Sequence, residues 1–255
     1  SLDALCVAFD MKAPTFRHEQ FEGYKAQRKG MPDELAVQMP ALKEVLDAMN
    51  VARRELQGWE ADDLLGTMAA QADQQGWETV IVTGDRDSLQ LITEHVRVKL
   101  VSTRMGQTTT REMTPESFYE EYGFEPRRLI DLKALMGDKS DNIPGVAGIG
   151  EKTARTLIEK YGSVEGVYEN IDEITGATGE KLKKGREQAE LSYTLAKINR
   201  DCDIEIDLEQ CRTPGKFSSG VKKMFAEFEF RSLIRDDLFE EGATAADPAT
   251  EYPEA

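Results

Sequence analysis

The chain is poor in the residues that most often bind transition metals or form crosslinks: 255 residues contain two histidines and three cysteines. Cys6, Cys202 and Cys211 are odd in number and show no metal-type spacing, which argues against a zinc cluster and a disulfide framework. They read as thiols packed as small hydrophobes in a reducing, cytoplasmic compartment. No apolar run is long enough to cross a bilayer and no signal-peptide pattern is visible, so no membrane partner is expected. Basic residues are also scarce, 32 against 48 acidic ones, for a formal net charge of −16. Duplex affinity comes largely from Lys and Arg displacing counterions, so this balance at first counts against nucleic acid.

The distribution of charge removes that objection. No basic residue follows Arg235, whereas Glu240, Glu241, Asp247, Glu251 and Glu254 do, and eight further acids belong to one candidate site. The rest of the chain is nearly balanced and can carry local basic patches. One such run is "GEKLKKGREQ", residues 179 to 188, which reads as a solvated helix face or, more sharply, as a DNA contact.

Hydrophobic patterning predicts a strand at "ALCVAF", residues 4 to 9, ending in Asp10. Residues 16 to 29 read as an exposed helix or a mobile arch, extending to about residue 32. Helical spacing follows over 33 to 50, with Pro40 either kinking that helix or beginning it. A short strand near Arg53 to Leu56 leads into a helix with Leu64, Leu65 and Met68 on its apolar face. "ETVIVTGDRD" supplies the clearest strand, another runs from Val96 to Val101, and from Pro115 onward the pattern is almost wholly helical. The expected organisation is an α/β core with a parallel-centred sheet over 1–112, a helical region over 113–238 and an acidic linker or tail over 239–255.

Carboxylates cluster at four places: Asp10 at a strand end, Glu60, Asp62 and Asp63 opening a helix, Asp85 and Asp87 after a strand, and Asp138 with Asp141. Any one of them has an ordinary explanation as a helix cap or turn residue. At the carboxyl edge of a doubly wound sheet, however, all would face one crevice and repel unless cations neutralised them. Oxygen-only ligands without His or Cys point to magnesium or manganese. Two such ions roughly 3.5–4 Å apart suit phosphodiester hydrolysis by activated water.

Directly after these acids comes "GVAGIGEKTA". Its glycines fail the dinucleotide and Walker templates. An ordinary helix–helix turn is one explanation; the other is a tight turn at Gly148-Ile149-Gly150 feeding a helix whose free N–H groups, with Lys152, hold duplex phosphates without reading sequence.

Taken together, "VAFDMKAPTFRHEQFEGYKAQR", "GWEADDLL", "TGDRD", "LMGDKSDNIPGVAGIGEKTA" and "FEFRSL" resemble the structure-specific 5′ nuclease domain of the bacterial DNA polymerase I family, within the flap endonuclease superfamily. The likeness runs from Asp10 to about Leu238. It implies a PIN/5′-nuclease-like α/β fold with a helix-3-turn-helix DNA-binding region. By resemblance, Asp10, Glu60, Asp62, Asp63, Asp85, Asp87, Asp138 and Asp141 are the catalytic metal-site acids, holding two or more Mg2+ or Mn2+ ions. Arg17, Tyr24, Lys25 and Arg28 fall in the arch that receives a displaced 5′ strand. Gly145, Gly148, Gly150, Lys152 and Thr153 hold downstream duplex, often with a potassium ion. The implied substrates are 5′ flaps and 5′ ends of DNA, and the tail is the start of a tether to a polymerase portion. Family members also begin with a strand carrying a central aspartate, and the present sequence starts after that point. A catalytically impaired DNA-binding module is therefore one alternative; a related ribonuclease of the same acid-lined α/β type is another, against which the glycine hairpin and basic arch favour duplex DNA.

Overall fold

The computed structural model describes residues 2–242, and its contacts divide the chain into two compact units. The first gathers residues 2–9, Lys29–Arg54 and 207–242. In it β1 (Cys6–Ala8) pairs in parallel with β2 (Ala52–Arg54). A helix α1 (Phe16–Gln20) belongs to the second unit, whereas α2 (Asp33–Ala36) and α3 (Met39–Ala48) lie in the first. Pro40 occupies the first turn of α3, where its missing N–H costs nothing; it begins the helix and does not kink it. Val45 of α3 packs with Val221, Phe225 and Phe239, so the stretch assigned to a tail from residue 239 starts with a core residue, Phe239 being 1% exposed. The remainder of the expected tail, 243–255, lies outside the described residues.

The second unit contains Asp10–Arg28 and Glu55–Ile206. Its strands are β3 (Thr79–Thr83), β4 (Val96–Arg104) and β5 (Gln107–Met113), in that spatial order, after α4 (Ala61–Gln74). β3 and β4 run parallel; β4 and β5 form an antiparallel hairpin. β5 escapes the sequence pattern because six of its seven residues are exposed, leaving no apolar alternation to detect. Parallel pairing is present as expected, but in two separate sheets among the described residues. β3 is accordingly an edge, burying Ile81 and leaving Val82 61% exposed.

Helices complete the second unit: α5 (Pro115–Tyr122), α6 (Leu129–Met136), α7 (Glu151–Tyr161), α8 (Val164–Glu169), α9 (Gly176–Lys184) and α10 (Arg186–Ala196), with α11 (Ser219–Glu227) in the first. α6 is the central one. Seven of its eight residues are buried, including Asp131 and Lys133, so it is covered on every side by its neighbours. The sequence boundary at 112/113 does not separate the units, because residues 207–242 return to the N-terminal strand: Leu5 N donates to Cys211 O at 2.8 Å, and Ala4 bridges Arg212.

Candidate nuclease site

The candidate acids are all in the second unit, brought together by the start of α4, the turn after β3 and the loop after α6. Glu60 is the N-cap of α4, in extended conformation, and Asp63 at the third helical position completes a reciprocal cap with it. Asp10 Oδ1 accepts from Ala61 N at 2.8 Å, which fixes the acid at the end of the first strand against the same helix terminus. Asp85 Oδ1 accepts from Asp87 N at 2.9 Å, closing the turn after β3. Asp138 lies in a tight loop in which its N donates to Ile143 O at 2.9 Å and Ile143 N donates back at 2.8 Å. Asp138 Oδ1 accepts from Ser140 N and Oγ at 2.7 and 2.6 Å.

Two subsets of acids result. In one, Asp62 accepts from Ser88 Oγ at 3.1 Å and lies beside Asp85, Asp87 and Glu60. Burial first, and then the Asp85 charge, push the Asp62 carboxyl up to about 7. Neither Asp62 nor Asp85 has a cationic partner among the described residues. Asp87 and Asp138 share the buried Lys133 ammonium, which is 7% exposed. At Asp87 burial still outweighs Lys133 and raises the pKa. At Asp138 burial is overcome by Lys133 and Ser140, which hold it down at about 2. Lys133 itself is held above its usual value: burial works against the charged form, but the two carboxylates outweigh it.

In the other subset, Lys25 Nζ pairs with Glu60 Oε1 at 2.7 Å and lies 3.8 Å from Asp141 Oδ2, and Arg28 pairs with Asp141. The buried Tyr24 hydroxyl reaches Glu60 Oε2 at 3.1 Å and Asp141 Oδ2 at 3.3 Å. Burial, then the Glu60 charge, raise the Tyr24 pKa. The positive charge expected wholly from bound metal is thus partly the protein's own.

Several sequence expectations change here. Arg17 is not on an exposed arch: it is 2% exposed and grips the fully buried Asp63 through two bonds of 2.7 and 2.8 Å. Its Nε and Nη2 also donate to Leu195 O and Lys197 O at 2.9 and 2.7 Å, and Nη1 lies 3.5 Å from Glu60 Oε2. Asp63 also accepts from Glu60 N and Asn199 N, so its oxygens are consumed inside the fold. The segment 16–28 is docked, with Lys25 N donating to Asp141 O at 2.9 Å and Asn142 Nδ2 to Gly23 O at 2.6 Å. Tyr24 is buried between two acids, so its ring is not a platform for a strand. Lys133 was missed; one Lys in an apolar helix run, five residues before Asp138, was the available signal.

The glycine hairpin follows the acid loop. Gly145 has φ +60°, and a Cβ there would meet Gly137 N at 2.2 Å, so it is buried by close backbone packing and is not a contact surface. Gly148 and Gly150 are exposed, as is Lys152, while Thr153 is half-buried. Gly150 caps α7, whose first N–H groups, including those of Lys152 and Thr153, lack intrahelical partners.

Among the described residues no group of three or more His, Cys, Asp or Glu side chains is placed to hold a metal ion. The chemistry of the donor set nevertheless fits a hard divalent ion: oxygen-only ligands, crowded and without a cation at Asp62 and Asp85. An acid-rich α/β unit joined to a glycine-hairpin helical region matches two family descriptions. Residues 1–123 match "5′-3′ exonuclease, N-terminal resolvase-like domain" and residues 124–218 match "5′-3′ exonuclease, C-terminal SAM fold". The chain belongs to the 5′-3′ exonuclease family.

Among curated relatives, DNA polymerase I of Bacillus caldotenax is 46% identical over 231 residues, covering 90% of this chain and 26% of the relative. DNA polymerase I of Bacillus subtilis is 43% identical over 242 residues, covering 94% and 27%. The chain therefore spans about a quarter of the length of these relatives. Among solved structures, T5 5′-exonuclease with bound zinc ions is 26% identical, with a TM-score of 0.59, covering 75% of this chain and 73% of that one. The catalytic core of Rad2 in complex with DNA substrate is 16% identical with a TM-score of 0.55, covering 92% and 78%, and shows likeness of fold alone.

Proposed function

We propose that this chain is the structure-specific 5′ nuclease portion of a DNA polymerase I, cutting phosphodiesters at 5′ flaps and 5′ ends of DNA during replication and repair in the bacterial cytoplasm. The observation that carries this reading is the crowded, uncompensated pair Asp62 and Asp85, beside Asp87 and Asp138 on their shared lysine. Asp10, Glu60, Asp62, Asp85, Asp87, Asp138 and Asp141 would hold two Mg2+ or Mn2+ ions. Bound there, divalent ions would supply an activated water and stabilise the leaving oxygen. Lys133 fixes the carboxylates of Asp87 and Asp138, and the capped start of α4 fixes Glu60 and Asp62. Gly148, Gly150, Lys152 and Thr153 would hold duplex phosphates, and Lys25 and Arg28 bring positive charge beside the acids that the cut strand must pass.

The test is cleavage of a labelled 5′-flap duplex. Cutting near the flap junction in Mg2+ or Mn2+, abolished by EDTA and absent on unbranched single-stranded RNA, is the expected result; equal cutting of the RNA defeats the DNA assignment. Lys25 and Arg28, already paired with Glu60 and Asp141, favour one second reading, a module that binds flaps without turnover, and binding with no cleavage at any metal concentration would select it.

Metal uptake should depend on pH with a definite sign. A carboxylate must be ionised to bind a metal, and Asp62 in the free chain titrates at about 7, so protons compete below that pH. Mn2+ affinity measured by calorimetry should fall about fivefold from pH 7 to pH 6 and continue falling towards pH 5. A flat profile would remove Asp62 from the metal site.

A further inference from the structure

We propose that Lys181 is the glycine hairpin's own cation: it positions the hairpin through the Gly148 carbonyl and presents its ammonium to the DNA backbone. This rests on the nuclease reading above and adds a residue to its duplex-binding site. Lys181 lies near the end of α9, 33 residues from the hairpin, within the basic run that the acid site leaves unused. Its Nζ donates to Gly148 O at 3.1 Å. The side chain lies against the glycine, since a Cβ on Gly148 would be 3.0 Å from both Cε and Nζ of Lys181. Gly148 has φ +77°, a conformation that turns the chain back at this point.

The α9–α10 corner grips the hairpin at two further points. Gly145 N donates to the buried Ser192 Oγ at 2.9 Å, and a Cβ on Gly185 would be 2.7 Å from Val146 Cγ1. Those two holds are internal. Lys181 is exposed, so it is the hold that nucleic acid can reach. An ammonium has three donors and the Gly148 carbonyl takes one, which leaves donors and a full charge for a phosphate at the hairpin.

The experiment measures binding of a 5′-flap duplex in EDTA, where no cleavage intervenes, across a range of salt concentrations. Lys181→Met should weaken binding on the order of fivefold at low salt, and the slope of log affinity against log salt should fall by about 0.9, the value for one lost phosphate contact. Lys181→Arg should keep the parent slope. A Lys181→Met slope equal to the parent's overturns the proposal even if affinity drops, because a purely structural lysine changes affinity without changing counterion release. If the parent binds no flap at all, the nuclease reading fails and this inference with it; an unchanged slope in a parent that binds well fails this inference alone.

Discussion

Arg17→Met should destabilise the protein by about 3–5 kcal/mol, because it strands the Asp63 carboxylate at 0% exposure with its main partner gone. For a chain of this size the midpoint of thermal unfolding should drop by roughly 10 °C. Burial alone would lower the Arg17 pKa, but the bonds and charge of Asp63 hold it above the usual value, so the guanidinium stays charged throughout the ordinary pH range. Double replacement, Arg17→Met with Asp63→Leu, should recover only part of the loss, because it removes both charges but leaves the Glu60 and Asn199 N–H groups without their acceptor. A melting temperature for Arg17→Met within about 2 °C of the parent would show that the pair is not the internal clamp described here. The clamp matters beyond stability: through Asp63 it fixes the Glu60 N–H and the chain at Asn199, so it sets the start of the helix that displays Glu60 and Asp62.

The distinction between Asp62 and Asp63 shows how far the sequence could lead. Both follow Glu60 in one acidic run, and convergence of that run with Asp85, Asp87, Asp138 and Asp141 was legible from strand ends and helix starts. Which acid faces inward depends on helical phase. Asp63, Thr67 and Gln71 recur every four residues and form a polar stripe that bonds Asn199, Cys202, Ile204 and Ile206. That stripe was visible in "ADDLLGTMAAQA", but its partners lie more than 130 residues away, where local patterning has no reach. Lys133 was hidden for a related reason. A single lysine in an apolar helix reads as solvated, and only the fold brings Asp87 to it. The return of residues 207–242 to the first strand is likewise a long-range packing choice, in which Phe225 and Phe239 bury against Val45.

The same geometry separates acids that should matter for chemistry from one that should not. If Asp62 and Asp85 form the uncompensated part of a metal site, Asp85→Asn removes a charge that no protein cation balances, and cleavage of a 5′ flap should fall roughly a thousandfold, about 4 kcal/mol in the barrier. Asp138→Asn should fall by a similar factor and has a second effect, since Lys133 then keeps only Asp87 as an anionic partner. Both proteins should melt close to the parent temperature, because relief of acid crowding offsets the lost contacts. Asp63→Asn should behave in the opposite way: a large loss of stability through the broken Arg17 clamp, with the apparent metal affinity of the remaining folded protein near that of the parent. Measuring flap cleavage, Mn2+ affinity and melting on the three variants together gives each a distinct pattern. Undiminished cutting by Asp85→Asn, or loss of metal binding by Asp63→Asn without loss of stability, would reverse the assignment of these carboxylates.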